Sequence, residues 1–266
     1  MAFLGDYHTH TIFSHGKGSV EDNVVKAIER GLKQVAITDH GFKHLTYNVR
    51  RLDWPFMEKE VKKMRLKYPE IEILLGLETN FSSPDGNIDV LLSEIEAMDI
   101  VVCGYHNMVK PERIRHVFSF WTPNLIIGSI FKKTTKKMFI RNTDAYLKAI
   151  EKYPIDIVSH PNYTVQVDVV EIAKACKRLG SYFELNGKRI SITDKQLEEV
   201  ANTGVEFICN SDAHHHDKVG NFDYCLQAVN RVGVPYSQIA NWDRLPQLRS
   251  QIFKQKLKGV TADELL

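Results

Sequence analysis

The chain has 266 residues, 43% of them hydrophobic and 26% charged, with a formal charge of +2. Those proportions belong to an ordinary globule, and the near-neutral balance excludes any global electrostatic argument for a nucleic-acid or anionic-membrane partner. No apolar run approaches the ~18 residues that suggest a membrane span. The opening MAFLGDYHTH leaves no room for a signal peptide, and four cysteines form no CxxC pair, so a cytoplasmic protein is expected.

Short runs rich in Val, Ile, Leu and Phe, bounded by Gly, Pro, Asn or Asp, alternate with helical patterns. A strand at 7–11 precedes a helix at 19–30, which opens on Ser19, carries Glu21 and Asp22 in its first turn and stops at Gly31. A strand at 34–39 leads to a helix at 54–68, with Pro55 at its start and Pro69 at its stop. The same logic places strands at 72–78, 100–106, 156–160, 182–186 and 206–212. Helices at 89–98, 142–153, 168–179 (closed by Gly180), 194–202 and 222–231 follow them in turn. Seven strands alternating with seven helices predict a parallel sheet with helices outside it. With no sign of a second domain, the expectation is one α/β barrel over 1–266, with a helical tail from about Trp242 across its base.

One connection breaks the pattern. Residues 107–141 make a segment far longer than a typical loop, which marks it as functional or mobile. It holds an apolar run at 125–131 and the basic residues Lys132, Lys133, Lys136, Lys137 and Arg141. Leaving the barrel after His106, it is placed to act as a substrate lid. The plainer reading has the apolar run packing on the barrel and the lysines facing water.

The chain carries eleven histidines, and their placement matters more than their number. His8 and His10 are two apart on the first strand, so both project from one face, and Asp212 and His214 repeat that spacing at the end of the seventh. His40 ends the second strand, Glu78 the third, His106 the fourth and His160 the fifth, while His15 follows the first. All but the first pair fall at or beyond a strand's C-terminal end, the rim where a parallel barrel builds its active site. Imidazole and carboxylate are the ligands of zinc, manganese or iron. Nine such groups exceed what one ion can use, a carboxylate such as Glu78 can bridge two ions, and paired ions suit phosphoryl chemistry. His44, His116, His215 and His216 lie in polar loops and are read as bystanders. Asp39 is read either as a partner that orients an imidazole or as a turn residue.

In order, HTHT at 8–11, His15, TDH at 38–40, GLE at 76–78, GYH at 104–106, SHP at 159–161 and SDAH at 211–214 resemble the polymerase-and-histidinol-phosphatase (PHP) family, in particular its stand-alone phosphoesterases. The resemblance implies a distorted seven-stranded (βα)7 barrel, TIM-like, holding up to three metal ions. By position, the first ion would take His8, His10, Glu78 and Asp212, the second Glu78, His106 and His160, and the third His15, His40 and His214. Two to three divalent ions are expected, zinc first, with manganese or iron as alternatives. Glu78, His106, His160 and Asp212 would be central to catalysis, with Arg113, Lys188 and Arg189 as candidate phosphate contacts. The long insert and the run GYHNM depart from the pattern associated with histidinol phosphatases.

These features predict hydrolysis of a small phosphomonoester by metal-activated water, without a covalent enzyme intermediate. A nucleic-acid-processing phosphoesterase is the alternative, supported by the insert's basic cluster and by Phe118, Phe120 and Trp121 as stacking side chains. A metal-binding module without turnover is the third.

Overall fold

The computed structural model describes residues 2–131 and 133–259. Seven parallel strands stand in sequence order: β1 (Gly5–Asp6), β2 (Gln34–Ile37), β3 (Glu72–Asn80), β4 (Ile100–Gly104), β5 (Ile157–Val158), β6 (Tyr182–Asn186) and β7 (Phe207–Asn210). Around them run α1 (Val20–Glu29), α2 (Trp54–Lys67), α3 (Leu92–Ile95), α4 (Ile114–His116), α5 (Lys136–Lys152), α6 (Val169–Leu179), α7 (Asp194–Ala201), α8 (Asp223–Val232) and α9 (Arg249–Gly259). The expected α/β barrel is present, nearly closed.

Local sequence explains the better-defined helices. Ser19 caps α1 by accepting the Asp22 amide at 3.1 Å, while the Asp22 carboxylate accepts the Ser19 amide at 2.8 Å. Asp168 accepts the amides of Val170 and Glu171 at the start of α6, and Gly180 ends that helix at φ 78°, a left-handed conformation that glycine adopts without steric cost. Two expected helices differ. The one at 89–98 shrinks to the single turn of α3, and the one at 142–153 begins earlier, at Lys136, because Thr135 accepts the Met138 amide and starts α5 there.

Inside the barrel, Tyr7, Ala36, Leu74, Ile100, Val102, Ile157, Tyr182 and Ile208 form a buried apolar floor, closed from below by Ala240 and Leu248 of the tail. The tail helix α9 lies under the strands, with Ser250 donating its amide to Asp156 at 2.8 Å and its hydroxyl to the Asp99 carbonyl at 3.1 Å. Moving up two residues at a time keeps side chains on the inner face. From Leu74 this reaches Gly76 and then Glu78; from Ala36, Thr38 and His40; from Val102, Gly104 and His106; from Ile208, Asn210 and Asp212. The strand period itself therefore delivers ligands above an apolar plug.

The seam between β7 and β1 has no regular ladder. His10 donates its amide to the Ala213 carbonyl at 2.8 Å, making one bridge above the strands. Below it, the Asn241 side chain donates to the carbonyls of Gly5 at 2.8 Å and Cys209 at 2.6 Å, and accepts the Cys209 amide at 3.1 Å. An amide side chain thus replaces the missing strand pairing. No helix among the described residues is long and apolar enough to cross a membrane.

Candidate metal centre

Glu78 stands at the middle of the rim. Its Oε1 lies 2.7 Å from His160 Nε2 and 3.5 Å from His106 Nε2, and its Oε2 lies 2.9 Å from His40 Nδ1, 3.3 Å from His8 Nε2 and 3.6 Å from His10 Nε2. Asp212 Oδ1 lies 3.4 Å from His10 Nε2 and 3.2 Å from His214 Nδ1. The His15 ring sits 4.8 Å from that of His40 and 4.2 Å from that of His214, centroid to centroid. All nine sequence-predicted ligands are thus brought together. Among these nine, four triads have ligand atoms close enough to share an ion: His8–Glu78–His160, His8–His10–Asp212, His40–Glu78–His106 and His10–His40–His214; His215, His216 and Asp217 form a further such group apart from them. Because β1 ends at Asp6, His8 and His10 lie beyond their strand rather than within it, and so stand at the rim like the others.

The donor atoms fit metal ions. His8 Nε2, both His10 ring nitrogens and Glu78 Oε2 are buried without a hydrogen-bond partner in the protein. Such atoms are costly to bury unless something ligates them. Burial keeps the His10 and His106 imidazoles well below their ordinary pKa, hence neutral, with neighbouring imidazoles acting in the same direction. Burial, with His214 and His40, pushes His15 down to about 3. Burial alone would raise the Glu78 carboxyl, but His106, His8 and His160 hold it well below the usual range. Neutral imidazole and ionised carboxylate are the ligating forms.

Strain accompanies the ligands. His160 has φ 29° and Asp212 φ 51°, a region that non-glycine residues rarely occupy. Gly104 is required by its neighbours: a Cβ there would meet Ser159 Oγ at 2.3 Å and His160 Cε1 at 2.8 Å. The left-handed turn at His160 and the bare backbone opposite let its ring reach Glu78.

The residues behind the ligands include several that sequence reasoning missed. Glu184, wholly buried in β6, accepts His8 Nδ1–H at 2.8 Å and the His160 amide at 2.7 Å. That fixes the His8 proton on Nδ1 and leaves Nε2 free to ligate. Asn80 does the same for His106, accepting Nδ1–H at 2.7 Å, while Asp89 holds the Asn80 amide in that orientation through Nδ2 at 2.8 Å. A carboxylate inside the apolar run YFELN was the available signal for Glu184. Asp39 resolves as a turn residue: it accepts from the Thr11 amide, the Thr11 hydroxyl and the Ser14 hydroxyl, and so shapes the loop that carries His15.

His44 stands beside the candidate ligands without joining any of the triads. Its ring stacks 5.2 Å from that of His40, and its Nδ1 accepts the Tyr47 amide at 3.1 Å. A backbone N–H can only donate, so the ring's proton lies on Nε2. His44 also lines a cavity of about 720 Å³ together with Tyr47, His106, Asn107, Ser129 and Tyr163. The other three bystanders stand apart from Glu78: His116 is buried near Asp85, and His215 and His216 stack on each other beside Asp217.

The basic candidates separate. Lys188 Nζ lies 3.4 Å from His214 Nδ1. Arg189 lies over the Tyr163 ring at 4.4 Å. Arg113 is exposed at the start of α4 and lines neither cavity beside the ligands. The insert reaches the site through Asn107, Met108, Gly128, Ser129 and Thr134, whereas Lys133, Lys136 and Lys137 are exposed and line neither cavity; Lys132 lies outside the described residues. Phe120 and Trp121 are buried against Tyr105, which leaves Phe118 alone of the three proposed stacking aromatics exposed.

Comparisons with known proteins agree with this geometry. A protein from Thermoanaerobacter sp. (strain X514), named "probable phosphatase", is 28% identical over 258 residues, covering 91% of this chain and 92% of the relative. One of the same name from Edwardsiella ictaluri is 28% identical over 248 residues, covering 89% of each. Among solved structures, the histidinol phosphate phosphatase of Lactococcus lactis, in complex with zinc, L-histidinol and phosphate, superposes with a TM-score of 0.64. It is 17% identical, covering 94% of this chain and 98% of that one, a likeness of fold. The model of the PHP domain matches residues 6–242, a span that takes in every one of the nine ligand positions, and the chain belongs to the PHP domain family.

Proposed function

We propose that this protein is a metal-dependent phosphatase that hydrolyses a small phosphomonoester, in the manner of a histidinol phosphatase, at a centre of two to three divalent ions. The observation that carries the reading is the gathering of seven imidazoles around Glu78 and Asp212, beside an open cavity. His8, His10, Glu78 and Asp212 would hold one ion, Glu78, His106 and His160 a second, and His15, His40 and His214 a third. Zinc suits this nitrogen-rich set best, with manganese and iron as alternatives. Bound divalent ions supply Lewis acidity to water and to phosphoryl oxygens.

The chain's own residues do the rest. Glu78 and Asp212 keep negative charge at the centre, balanced by the imidazoles around them. Glu184 and Asn80 hold two imidazoles in the ligating tautomer before substrate arrives, so little reorganisation accompanies the reaction. Lys188, beside His214, supplies a positive charge for a phosphate oxygen. His44, with its ring proton on Nε2, lines the larger cavity beside the ligands. The names of the curated relatives support the same reaction class.

The test is a turnover screen of metal-loaded protein against phosphomonoesters, phosphodiesters and short DNA. Phosphomonoesters should be hydrolysed fastest. Glu78→Gln, which keeps size and removes the central charge, should lower turnover on the order of 10²-fold or more and release at least one ion. His216→Ala should stay within a few-fold of the native rate. Metal-loaded, folded protein that turns over no phosphate ester would make this a binding module, and faster cleavage of DNA would favour the nuclease reading.

A further inference from the structure

Two cavities flank the ligand cluster, and their charges differ. The larger lies over the loops that follow β2, β4 and β5 and is lined by no lysine, arginine or carboxylate. The second, about 440 Å³, lies over the loops that follow β1, β6 and β7 and is bounded on the inside by Asp212 and His214. Lys17, Lys188 and Lys218 all line it, with Asn221 and the half-exposed Tyr224. The three lysines come from three separate loops. Lys17 is fixed by its amide, which donates to the His214 carbonyl at 2.8 Å, and Lys218 by its amide, which donates to the His215 carbonyl at 2.9 Å. None of the three forms an ion pair with a carboxylate among the described residues. The one carboxylate lining the cavity is Asp212, which His10 and His214 already surround.

We propose that this cavity is a subsite for a second anionic group, a phosphate or carboxylate borne by the leaving group of the substrate. The proposal rests on the phosphatase reading above and narrows its substrate class. The scissile phosphate belongs over Glu78, where the ligands converge. Lys188 stands between that point and the cavity, touching His214 and acting on His15. Lys17 and Lys218 line the same space, which is of the size that takes a small ligand. Three lysines around one cavity favour an anion there, and charge-assisted hydrogen bonds would hold it. Conversely, a leaving group with a net positive charge finds no free carboxylate in either cavity. The substrate is therefore a small molecule with two anionic ends.

The test compares propyl phosphate, 3-aminopropyl phosphate and propane-1,3-diol bisphosphate as substrates. In parallel, calorimetry measures binding of propylphosphonate and propane-1,3-diphosphonate, which are not hydrolysed. The bisphosphate should have the highest kcat/KM, by on the order of 10-fold over propyl phosphate, with the amine lowest. The diphosphonate should bind more tightly than the monophosphonate, with a steeper dependence on salt. In Lys17→Met/Lys218→Met protein, both preferences should fall to near parity. Equal kcat/KM for the three esters, with equal phosphonate binding, would overturn the subsite while leaving the phosphatase reading intact. No turnover of any ester, with diphosphonate preference retained, would overturn the reaction and keep the subsite. Inorganic phosphate bound through Lys17 and Lys218, without preference for the diphosphonate, would make this a free-anion site and also overturn the proposal.

Discussion

At the residue scale, the placement of the rim histidines is legible where strand period and residue type agree, and not where contact depends on a loop. His40 and His106 each stand an even number of residues above an apolar floor residue, so their direction follows from the sequence. His44 has no such register; the 41–47 turn folds it back onto His40. Its neutral state has a measurable consequence. Burial, with His40, lowers its pKa to about 4, so the native state holds the neutral ring while the unfolded chain protonates near the ordinary value of about 6.5. The stability it contributes is present above about 6.5 and lost as pH falls toward about 4. Any stability advantage over His44→Gln should therefore shrink between pH 7 and 4, as thermal melts at each pH would read. The same variant should raise KM more than it lowers kcat if His44 contacts the substrate. Glu184→Gln removes the charge that holds the His8 tautomer, and metal titration should show affinity reduced by about 10- to 100-fold with the fold intact.

At the element scale, the insert is where sequence and structure diverge most. Its composition suggested a basic lid, yet its fold separates the two halves of that idea. Residues Val117–Trp121 and Pro123–Ile130 run as wide π-helical turns, a rare form that appears mostly at functional sites. They bring Gly128 and Ser129 to the cavity beside His106, where Asn107 donates to Ser129 Oγ at 2.9 Å. The lysines meanwhile belong to the exposed start of α5 and the turn before it. Replacing Lys133, Lys136 and Lys137 with glutamine should leave the kinetics on small phosphomonoesters unchanged, and a raised KM would restore the lid. Thr135→Ala, which removes the cap of α5, should cost about 1 kcal/mol of stability in a denaturant titration.

At the scale of the whole molecule, closure is the weak point of the barrel, because β1 has two residues and meets β7 through a single bridge and side chains. Asn241 carries three of the seam's hydrogen bonds, and both carbonyls it serves are buried. Asn241→Ala should destabilise the fold by about 2–4 kcal/mol, since the abandoned backbone groups stay desolvated. The ligand ring lies directly above this seam through His10 and Ala213, so the variant should also bind metal less tightly; an unchanged melting temperature would show that the seam carries little.

The sequence by itself carried the barrel class and the nine candidate ligands, because short apolar runs end in histidine or carboxylate at the rim where a parallel barrel builds its site. Only the tertiary structure decided which groups stand behind the ligands and which line the cavities. Glu184 reaches His8 across 176 positions of chain, Asn80 reaches His106 across 26, and Lys188 reaches His214 across 26. A local period carries no information about such separations. Strand pairing brings Glu184 and Asn80 to the ligands, while loops bring His44 and the lysines, along paths set by the surfaces those loops pack on.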